Sequence, residues 1–490
     1  MTDKRVYTTN ELENMSIYDL RLLLRSLGGV PKSKKGREMI NEIIDIQMGN
    51  KTAQKNSNRG RKPKNSINED AIPTTAEPKE RFSSLLGGGR AFTEQDLNSN
   101  NYYIDGVSVP VSVEVADSGC VLGNIILASG ILFFANDEGY LCDISNVANP
   151  LYFYVEKAII SRYDLKEGDK IIGSALFSAV EGYYSLIDVI KINGYSVDNF
   201  RRNKEFERLN AIQPNQSLIS NDESNKTLRT LEFYAPIGIG SRSLIVAQPK
   251  TGVTDMIKDI AKSIKLQNNN LKLFCILVDE KPEDVTEFSS ILNENELFSF
   301  SYDDGSIQRI KLLDLILKSA KRLVECGEKV IILLNSLTKL TQAYYSQIIL
   351  CENQTESAEH RAIIETKKFF LSGRNTREGG SLTIIASLLD GDSDLDKALS
   401  SQLLPASNTQ IYLSANLAKK RIYPAIDLDR SVADYEEKLL SEERYKISLR
   451  LKSLLAENVR ANEVYNQMIN STKDNDEFCK NFDEWEIALK

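Results

Sequence analysis

The chain has 490 residues, of which 41% are hydrophobic and 27% charged, and its formal net charge at pH 7 is -8. Its length exceeds what one hydrophobic core usually supports, and its composition excludes a disordered or fibrous protein. The acidic balance excludes binding of a polyanion over the whole surface, so any nucleic-acid contact must be local.

Six cysteines and a single histidine, His360, are scattered without a C-x-x-C pair. This spacing argues against a zinc site and against a disulfide framework. The first residues, Met1–Arg5, contain no apolar core of the kind that a signal peptide needs, and apolar runs such as Val330–Leu334 are too short to span a bilayer. We expect a cytoplasmic protein that binds neither zinc nor a membrane.

Residues 1–48 are predicted to form a small helical module. Thr9 can cap a first helix, the Gly28–Gly29 pair ends a second one, and a third follows Pro31. At residues 49–104 the composition shifts to Lys, Asn, Ser, Pro and Gly, which predicts a linker without a core. The basic cluster Arg59–Lys64 within it can either contact phosphate or keep the linker soluble, and the residues favour neither interpretation.

Residues 105–197 carry a β pattern. Alternating valines from Val107 to Val115, and glycines between short apolar runs, predict several strands and hence a small barrel or sandwich. The adjacent aromatic pairs Phe133–Phe134 and Tyr183–Tyr184 must place one ring on each face of a strand. Most aromatic residues of a small barrel fill its core, but some of these rings are expected to be exposed platforms for bases.

A connector at residues 198–228 precedes residues 229–490, where predicted strands and helices alternate. Near-continuous apolar strands between amphipathic helices predict a parallel sheet covered on both faces. Spaced leucines after Asp434 predict a helical tail. The predicted strands are Ser243–Ala247, Leu271–Val278, Val330–Leu334 and Leu382–Leu388, and the predicted helices are Asp255–Ile264 and Ile307–Cys326.

The turn after the first of these strands has the pattern of an anion site. A strand, a glycine-containing turn and a helix amino terminus together present backbone N–H groups and the helix dipole to a phosphate. In a working phosphate loop a lysine precedes the Thr or Ser, and here Val253 precedes Thr254. The whole turn consists of Pro249, Lys250, Thr251, Gly252, Val253, Thr254 and Asp255.

Two further positions follow strands at the predicted carboxyl edge of the sheet, where ligands of α/β folds bind. The second strand runs into Asp279–Glu280, and Glu280 is placed to orient a water for attack on a γ-phosphate. The strand Val330–Leu334 runs into Asn335, where a phosphate-loop ATPase presents an aspartate towards Mg²⁺. Asparagine can hydrogen-bond water but lacks the charge.

Several stretches resemble, in order and spacing, the bacterial transcription termination factor Rho family. The resemblance implies a multidomain α+β fold: a helical amino-terminal module at residues 1–48, an OB or cold-shock-like β-barrel, and a RecA-like α/β core with a helical carboxyl-terminal tail. The stretches are Pro236–Gly238, Lys321–Glu325, Gly379–Ala386 and Arg421–Asp427 for the core, and Gly130–Phe134, Tyr154 and Leu165–Asp169 for the barrel.

In the core, the resemblance implies roles for the residues that match. Glu280 matches the catalytic carboxylate, Thr254 the hydroxyl on the Mg²⁺ side, and Lys250 an upstream phosphate-loop lysine. Tyr423 matches an aromatic residue that stacks on adenine, and Arg421 belongs to the same stretch. ATP and Mg²⁺ are the cofactors implied.

In the barrel, the resemblance implies a primary RNA site. Its aromatic positions match Phe133, Tyr154 and Tyr183, whereas Ile131 and Leu132 replace part of its pattern. Single-stranded RNA is the partner implied, together with assembly into a homo-oligomeric ring of six. RNA polymerase and an intact Rho remain open as protein partners.

Other positions depart from the family. Val253 replaces the phosphate-loop lysine, Asn335 the Walker B aspartate, and Asp434 an arginine finger offered to a neighbouring subunit. Asp394 stands where a lysine of the central RNA-gripping loop would be, and Cys351–Thr366 does not resemble the glycine-rich pore loop. We therefore expect ATP and Mg²⁺ to bind weakly and hydrolysis to be slow or absent.

Three functions remain open. The first is an RNA-binding protein that acts in transcription termination or its regulation without being an efficient motor. The second is an active ATP-dependent RNA translocase that terminates transcription, and the third is a non-catalytic subunit or decoy that joins an intact Rho ring.

Overall fold

All the residues described by the computed structural model belong to one compact unit. The predicted helical module at residues 1–48 lies outside them, as does the linker at 49–104 apart from Tyr103–Ile104. No helix within the described residues is long and apolar enough to cross a membrane. The described residues are 103–104, 107–108, 125–144, 151–178, 183–219, 225–267, 270–301, 306–352, 358–456 and 460–489.

A six-stranded barrel forms the smaller part of this unit. Its strands are ordered β5-β4-β3-β6-β7-β8, and a pairing of β5 with β7 at Tyr154 and Ser185 closes the sheet. Asn136 and Asp137, both at positive φ, form the two-residue turn between β3 and β4 that matches the twist of a hairpin. A two-residue ribbon, β1 with β2, precedes the barrel. The bounds are β1 Tyr103–Ile104, β2 Val107–Ser108, β3 Ile125–Ala135, β4 Glu138–Asp143, β5 Leu151–Val155, β6 Lys170–Ser178, β7 Tyr183–Ile192 and β8 Tyr195–Ser196, with helix α1 at Lys157–Arg162.

A nine-stranded sheet forms the centre of the larger part. Its main path runs β12-β11-β13-β15-β10-β16-β17, and all neighbours on this path pair in parallel except β16 with β17. Strands β14 and β9 extend it beside β15 in antiparallel pairings. The bounds are β9 Ala211–Ile212, β10 Arg242–Ala247, β11 Leu271–Val278, β12 Leu297–Phe300, β13 Lys329–Asn335, β14 Arg374–Thr376, β15 Ser381–Leu389, β16 Thr409–Leu413 and β17 Val432–Ala433.

Helices cover this sheet and continue to the end of the described chain. Two short 3₁₀ turns, Phe206–Arg208 and Leu404–Ala406, complete the regular structure described. The helices are α2 Lys226–Tyr234, α3 Val253–Leu266, α4 Pro282–Ser289, α5 Ser306–Glu325, α6 Leu337–Glu352, α7 Ala358–Leu371, α8 Asp394–Leu403, α9 Ala415–Lys419, α10 Glu436–Leu439, α11 Glu442–Ala456, α12 Ala461–Asn470 and α13 Asn475–Leu489.

The residues of β13 show why the central strands are apolar throughout. Val330 and Ile332 belong to the apolar cluster on one face of the sheet, whereas Ile331 and Leu333 belong to the cluster on the other face. Successive side chains of a strand point to opposite faces, so a strand buried on both faces needs an unbroken apolar run. The predicted parallel sheet, barrel and helical carboxyl-terminal region are confirmed.

A buried polar network joins the barrel to the central sheet. The carboxylate of Asp169, which is fully buried, accepts hydrogen bonds from Arg202 Nη2 at 2.6 Å and from Asn193 Nδ2 at 2.9 Å. Arg202 Nε also lies 3.9 Å from Glu325 Oε2, and Glu325 accepts a bond from the Phe206 N–H at 2.7 Å. Burial raises the pKa of the Glu325 carboxyl. Glu325 also pairs with Arg322 at 2.9 Å. The two parts are therefore held together by buried charged groups whose removal from water is compensated by these ion pairs and hydrogen bonds.

Candidate functional site

The phosphate loop begins where β10 ends at the carboxyl edge of the sheet. Lys250 and Gly252 adopt positive φ angles of 66° and 94°, and helix α3 starts directly afterwards, with Gly252 as its cap. Glycine adopts this conformation without the strain that a Cβ brings. The loop therefore turns sharply enough to aim the free N–H groups of the first turn of α3 outward, where an anion can accept them.

The loop side chains divide into those that brace it and those that are accessible. Thr251 is 2% exposed, and its hydroxyl donates to the Gln248 carbonyl oxygen at 2.8 Å, so it supports the turn. Lys250 is exposed and Thr254 is partly exposed. Asp255 is exposed and lies 3.4 Å from the ammonium of Lys258, one turn further along α3. Lys250 and Thr254 are thus the side chains of the loop that can reach a phosphate.

Val253 occupies the first position of α3. Its side chain is partly buried and packs against the apolar cluster on that face of the sheet. A lysine here would carry a charge towards the ligand, whereas valine stabilises the packing of the loop. The phosphate-binding backbone is present, but its usual cation is missing from this position.

Tyr423 lies beside the loop although it is far from it in sequence. A Cβ built on Gly252 would lie 3.6 Å from Tyr423 Cε1, and the tyrosine side chain is half exposed. An exposed ring next to a phosphate-binding turn can stack on a nucleobase. Arg421, two residues earlier, is exposed in a tight turn at φ 59°. The structure therefore brings together the loop and the predicted adenine-stacking residue.

Glu280 lies at the same edge of the sheet, but it is not a free carboxylate. The ammonium group of Lys339 forms a short ion pair with it and donates to the Asp279 carbonyl oxygen at 2.9 Å. The Asp279 carboxylate in turn accepts from Arg309 at 2.9 Å. Sequence reasoning missed Lys339. The signal was its place in the first turn of α6, directly after β13, since that turn starts at the edge where Glu280 lies.

Asn335 ends β13, as predicted, and is 6% exposed. Its side-chain oxygen accepts a hydrogen bond from the Ser387 hydroxyl on the neighbouring strand β15. The described residues contain no group of three or more His, Cys, Asp or Glu side chains that could hold a metal ion. The site thus fits the phosphates of a nucleotide through the loop backbone, Lys250 and Thr254, but it fits Mg²⁺ poorly because no anionic ligand stands at Asn335.

Two other predicted positions are carboxylates outside the loop, Asp434 and Asp394. Asp434 follows β17, and its N–H donates to the Asn408 carbonyl oxygen at 2.7 Å. Asn408 precedes β16, so Asp434 is at the amino edge of the sheet, opposite the phosphate loop. Asp394 is exposed in the first turn of α8. The Asp434 carboxylate therefore does not contribute to the nucleotide pocket of its own chain.

A chain of aromatic rings crosses the outer surface of the barrel. The rings of Tyr183 and Tyr154 have centroids 5.5 Å apart, Tyr154 and Tyr140 are 5.7 Å apart, and Tyr140 and Phe133 are also 5.7 Å apart. Tyr154 and Tyr183 are partly exposed, whereas Phe133 is only 7% exposed and also contacts Tyr152. The accessible end of the chain is therefore the tyrosine pair.

The expectation of exposed rings in the two aromatic pairs needs one correction. In the first pair the exposed ring is Phe134, at 42%, and not Phe133. Phe134 lies near the end of β3, where β3 pairs with β4 but no longer with β6. In the second pair Tyr184 is buried inside the barrel and Tyr183 lies on the outer face, as the alternation of a strand requires. Phe133 is therefore connected to the exposed tyrosine pair through Tyr140.

Comparisons with known proteins give matches for both the larger part of the structure and the barrel. Residues 227–433 match the ATP synthase alpha/beta family, nucleotide-binding domain, and residues 128–198 match the Rho termination factor, RNA-binding domain. The chain is 34% identical over 369 residues to the transcription termination factors Rho of Salmonella typhimurium strain LT2 and Escherichia coli strain K12, which covers 73% of this chain and 88% of each relative. It is 33% identical over 336 residues to that of Karelsulcia muelleri strain SMDSEM, covering 67% and 88%. The chain belongs to the transcription termination factor Rho family.

Proposed function

We propose that this protein binds single-stranded RNA on the tyrosine pair of its barrel, binds nucleotide weakly at the phosphate loop, and acts in transcription termination or its regulation with little or no ATP hydrolysis. Membership of the Rho family supports the RNA partner and the process. Assembly into a homo-oligomeric ring of six is part of the same proposal.

One observation carries the proposal of poor hydrolysis. The two positions that should supply charge to a bound nucleotide are occupied by uncharged side chains with structural contacts. Val253 packs against the apolar cluster, and the Asn335 oxygen is engaged by Ser387. Neither side chain carries a charge that could stabilise the phosphates of a bound nucleotide.

Magnitudes show that these losses matter together. Removing one preorganised charge stabiliser costs on the order of 10²–10³ in rate, and removing an arginine finger costs about 10³–10⁵. The low ends combine to about 10⁵, which is roughly 7 kcal/mol of activation free energy, although such effects are not additive. Lys250 offsets only part of this, because it lies upstream of the missing lysine.

A bound nucleotide would supply the phosphoanhydride bond, and four groups of this chain would contact the nucleotide or its metal ion. The N–H groups at the start of α3 and the Lys250 ammonium would hold the phosphates, and Tyr423 would stack on the base. Thr254 would offer a neutral hydroxyl to a metal ion. The ion pair with Lys339 would orient the Glu280 carboxylate at the end of the pocket that holds the terminal phosphate.

The test is an ATPase assay on the purified protein, with and without cytidine-rich single-stranded RNA, beside direct measurements of RNA and ATP binding. We expect RNA binding, weak ATP binding and no RNA-stimulated phosphate release. Robust RNA-stimulated hydrolysis would overturn this proposal in favour of an active translocase. Absence of RNA binding, with hexamers formed only in the presence of an intact Rho, would favour a non-catalytic ring subunit.

A further inference from the structure

A basic cavity of about 630 Å³ opens at the amino edge of the central sheet, opposite the phosphate loop. Three cationic side chains line it, Arg242 at the start of β10, Arg374 on β14 and Lys438 on α10, and none of its lining residues is acidic. The chain as a whole carries a net charge of -8. Three cations without an acidic neighbour in the wall therefore form a local positive potential that the overall charge conceals.

Arg242 is held by two hydrogen bonds, and both arginines have unused donors. Arg242 donates from Nε to the Ala406 carbonyl oxygen at 2.7 Å and from Nη1 to the Gly373 carbonyl oxygen at 2.8 Å. Its Nη2 donates to none of the described residues. The guanidinium of Arg374 lies 4.5 Å from the centre of the Phe206 ring, and within the described part of the chain it makes no hydrogen bond. A guanidinium held as Arg242 is loses little freedom when it binds an oxyanion.

The pKa values of the two arginines also indicate that an anion would be stabilised in this cavity. Burial lowers the pKa of Arg242, and the neighbouring charge of Arg374 lowers it further, while the exposed Asp434 outside the wall raises it. Burial also lowers the pKa of Arg374, and Glu207 raises it. Glu207 itself is engaged by Lys321 at 3.0 Å. Two like charges are therefore kept close together in a partly desolvated place, which costs free energy that an anionic ligand would recover.

The third cation and an aromatic ring complete the cavity. Lys438 hydrogen-bonds the Gln213 side-chain oxygen, and its ammonium lies 5.5 Å from the centre of the Tyr435 ring. Tyr435 lines the cavity and is only partly buried. A volume of this size is within the range of ligand-binding clefts. The wall thus offers planar donors for an oxyanion next to a ring.

We propose that this cavity binds a phosphate group, carried either by the backbone of an RNA or by a free nucleotide. Guanidinium groups match the oxygens of phosphate in a bidentate way, and such charge-assisted bonds are about twice as strong as neutral ones. The site is separate from the phosphate loop of its own chain, which lies at the opposite edge of the sheet. The proposal stands whether or not the loop binds ATP.

The test is isothermal titration of the full-length protein with pyrophosphate. The informative variant is Arg374→Gln combined with Lys438→Gln, which removes two charges and leaves Arg242 to support its carbonyl partners. The matched control is Lys446→Gln, an exposed lysine on α11 that forms an ion pair with Glu442. We expect the double variant to bind pyrophosphate at least tenfold more weakly, by about one charge-assisted contact or more, and the control to bind like the unmodified protein.

Further arms separate the two sites and the two phosphate sources. Lys250→Gln should weaken binding at the loop and leave the cavity's pyrophosphate affinity unchanged. If an RNA oligonucleotide without a terminal phosphate displaces pyrophosphate from the Lys250→Gln protein, the cavity holds backbone phosphate. If ATP alone displaces it, the cavity holds free nucleotide. The proposal is overturned if pyrophosphate does not bind, if the double variant binds as the control does, or if sedimentation shows that the double variant changes only the oligomeric state.

Discussion

The ammonium group of Lys339 lies between two groups of the adjacent strand end, the Glu280 carboxylate and the Asp279 carbonyl oxygen, which is 2.9 Å away. Glu280 is the carboxylate that we propose lies beside the phosphates of a bound nucleotide, and its side chain is only 10% exposed. We therefore propose that Lys339 is a positioning residue. It keeps the negative charge of Glu280 compensated where the phosphates of a nucleotide would approach.

Lys339→Gln should weaken ATP binding about tenfold, because an uncompensated Glu280 would repel the phosphates. Lys339→Arg keeps the charge and should bind ATP as the unmodified protein does. The double variant Lys339→Gln with Glu280→Gln should recover most of the affinity, since the repulsive charge is then absent. Fluorescent-nucleotide titration measures this cycle, and additive losses in the double variant would show that the two residues are not coupled.

The combined change Val253→Lys and Asn335→Asp should strengthen binding of Mg·ATP by about a hundredfold or more, because each restores a charge-assisted contact worth about 1.5–3 kcal/mol. Hydrolysis should remain poor, since Asp434 is unchanged. Titration with and without Mg²⁺ separates the effects: Val253→Lys alone should help in both conditions, whereas Asn335→Asp should help only with the metal. No gain in either condition would mean that the loop has lost its phosphate-binding shape.

Tyr154→Ala and Tyr183→Ala should each weaken binding of single-stranded RNA by about 1–3 kcal/mol, the usual contribution of a base stacked on an aromatic ring. The matched control is Tyr163→Ala, a partly buried tyrosine of the same barrel that bonds Asp188 instead of joining the aromatic chain. Filter binding with cytidine-rich RNA measures the effect. Equal loss in the control would remove the tyrosine pair from the RNA site.

Phe133→Ala should lower the free energy of unfolding more than it lowers the affinity for RNA. The side chain is 7% exposed and packs between Tyr140 and Tyr152, so its removal leaves a cavity that costs about 3–5 kcal/mol. Urea unfolding should show this loss. If the variant keeps full stability and loses RNA affinity, Phe133 contacts the base directly. Its side chain would then be more exposed in the RNA complex than it is in this structure.

Arg202→Met should destabilise the protein by about 3–5 kcal/mol, because the fully buried Asp169 would lose its cationic partner. Glu325 would keep its ion pair with Arg322 at 2.9 Å. Lys420→Met removes an exposed ion pair with Glu463 and should leave the urea midpoint nearly unchanged. A small effect of Arg202→Met would mean that water enters the joint between barrel and sheet and replaces the guanidinium.

A second contact across the same joint predicts a pH dependence. The Tyr195 hydroxyl of the barrel donates to the Glu328 carboxylate of the core, and this hydrogen bond, together with burial, raises the tyrosine pKa from 10.0 to about 12. The folded protein then holds the proton where the unfolded chain loses it, so this stabilisation is present below pH 10 and is lost as the pH rises through 12. Tyr195→Phe should be less stable at neutral pH and should lose less stability over that interval. An identical decline in the unfolding free energy of both proteins would contradict the assignment.

Residues close together in the chain determined much of what could be predicted. The unbroken apolar run of β13 required a strand buried on both faces, and the glycine-containing turn before α3 required a sharp loop with free N–H groups. Val253 and Asn335 could be recognised as departures because their places follow directly from strand ends. The predicted strand Leu271–Val278 coincides with β11, and the other core elements differ from prediction by one or two residues at their ends, where helices and strands fray.

Contacts between distant segments were decided only by the tertiary structure. Lys339 reaches Glu280 across 59 positions of sequence, and Arg242, Arg374 and Lys438 meet at one edge of the sheet although they come from three separate elements. The strand alternation placed Phe133 and Phe134 on opposite faces of the barrel, but it could not show that Phe133 packs against Tyr140 and Tyr152. Sequence periodicity fixes which face a side chain takes, whereas its neighbours and exposure depend on the order in which strands pair and helices pack, and this order is set by the whole fold.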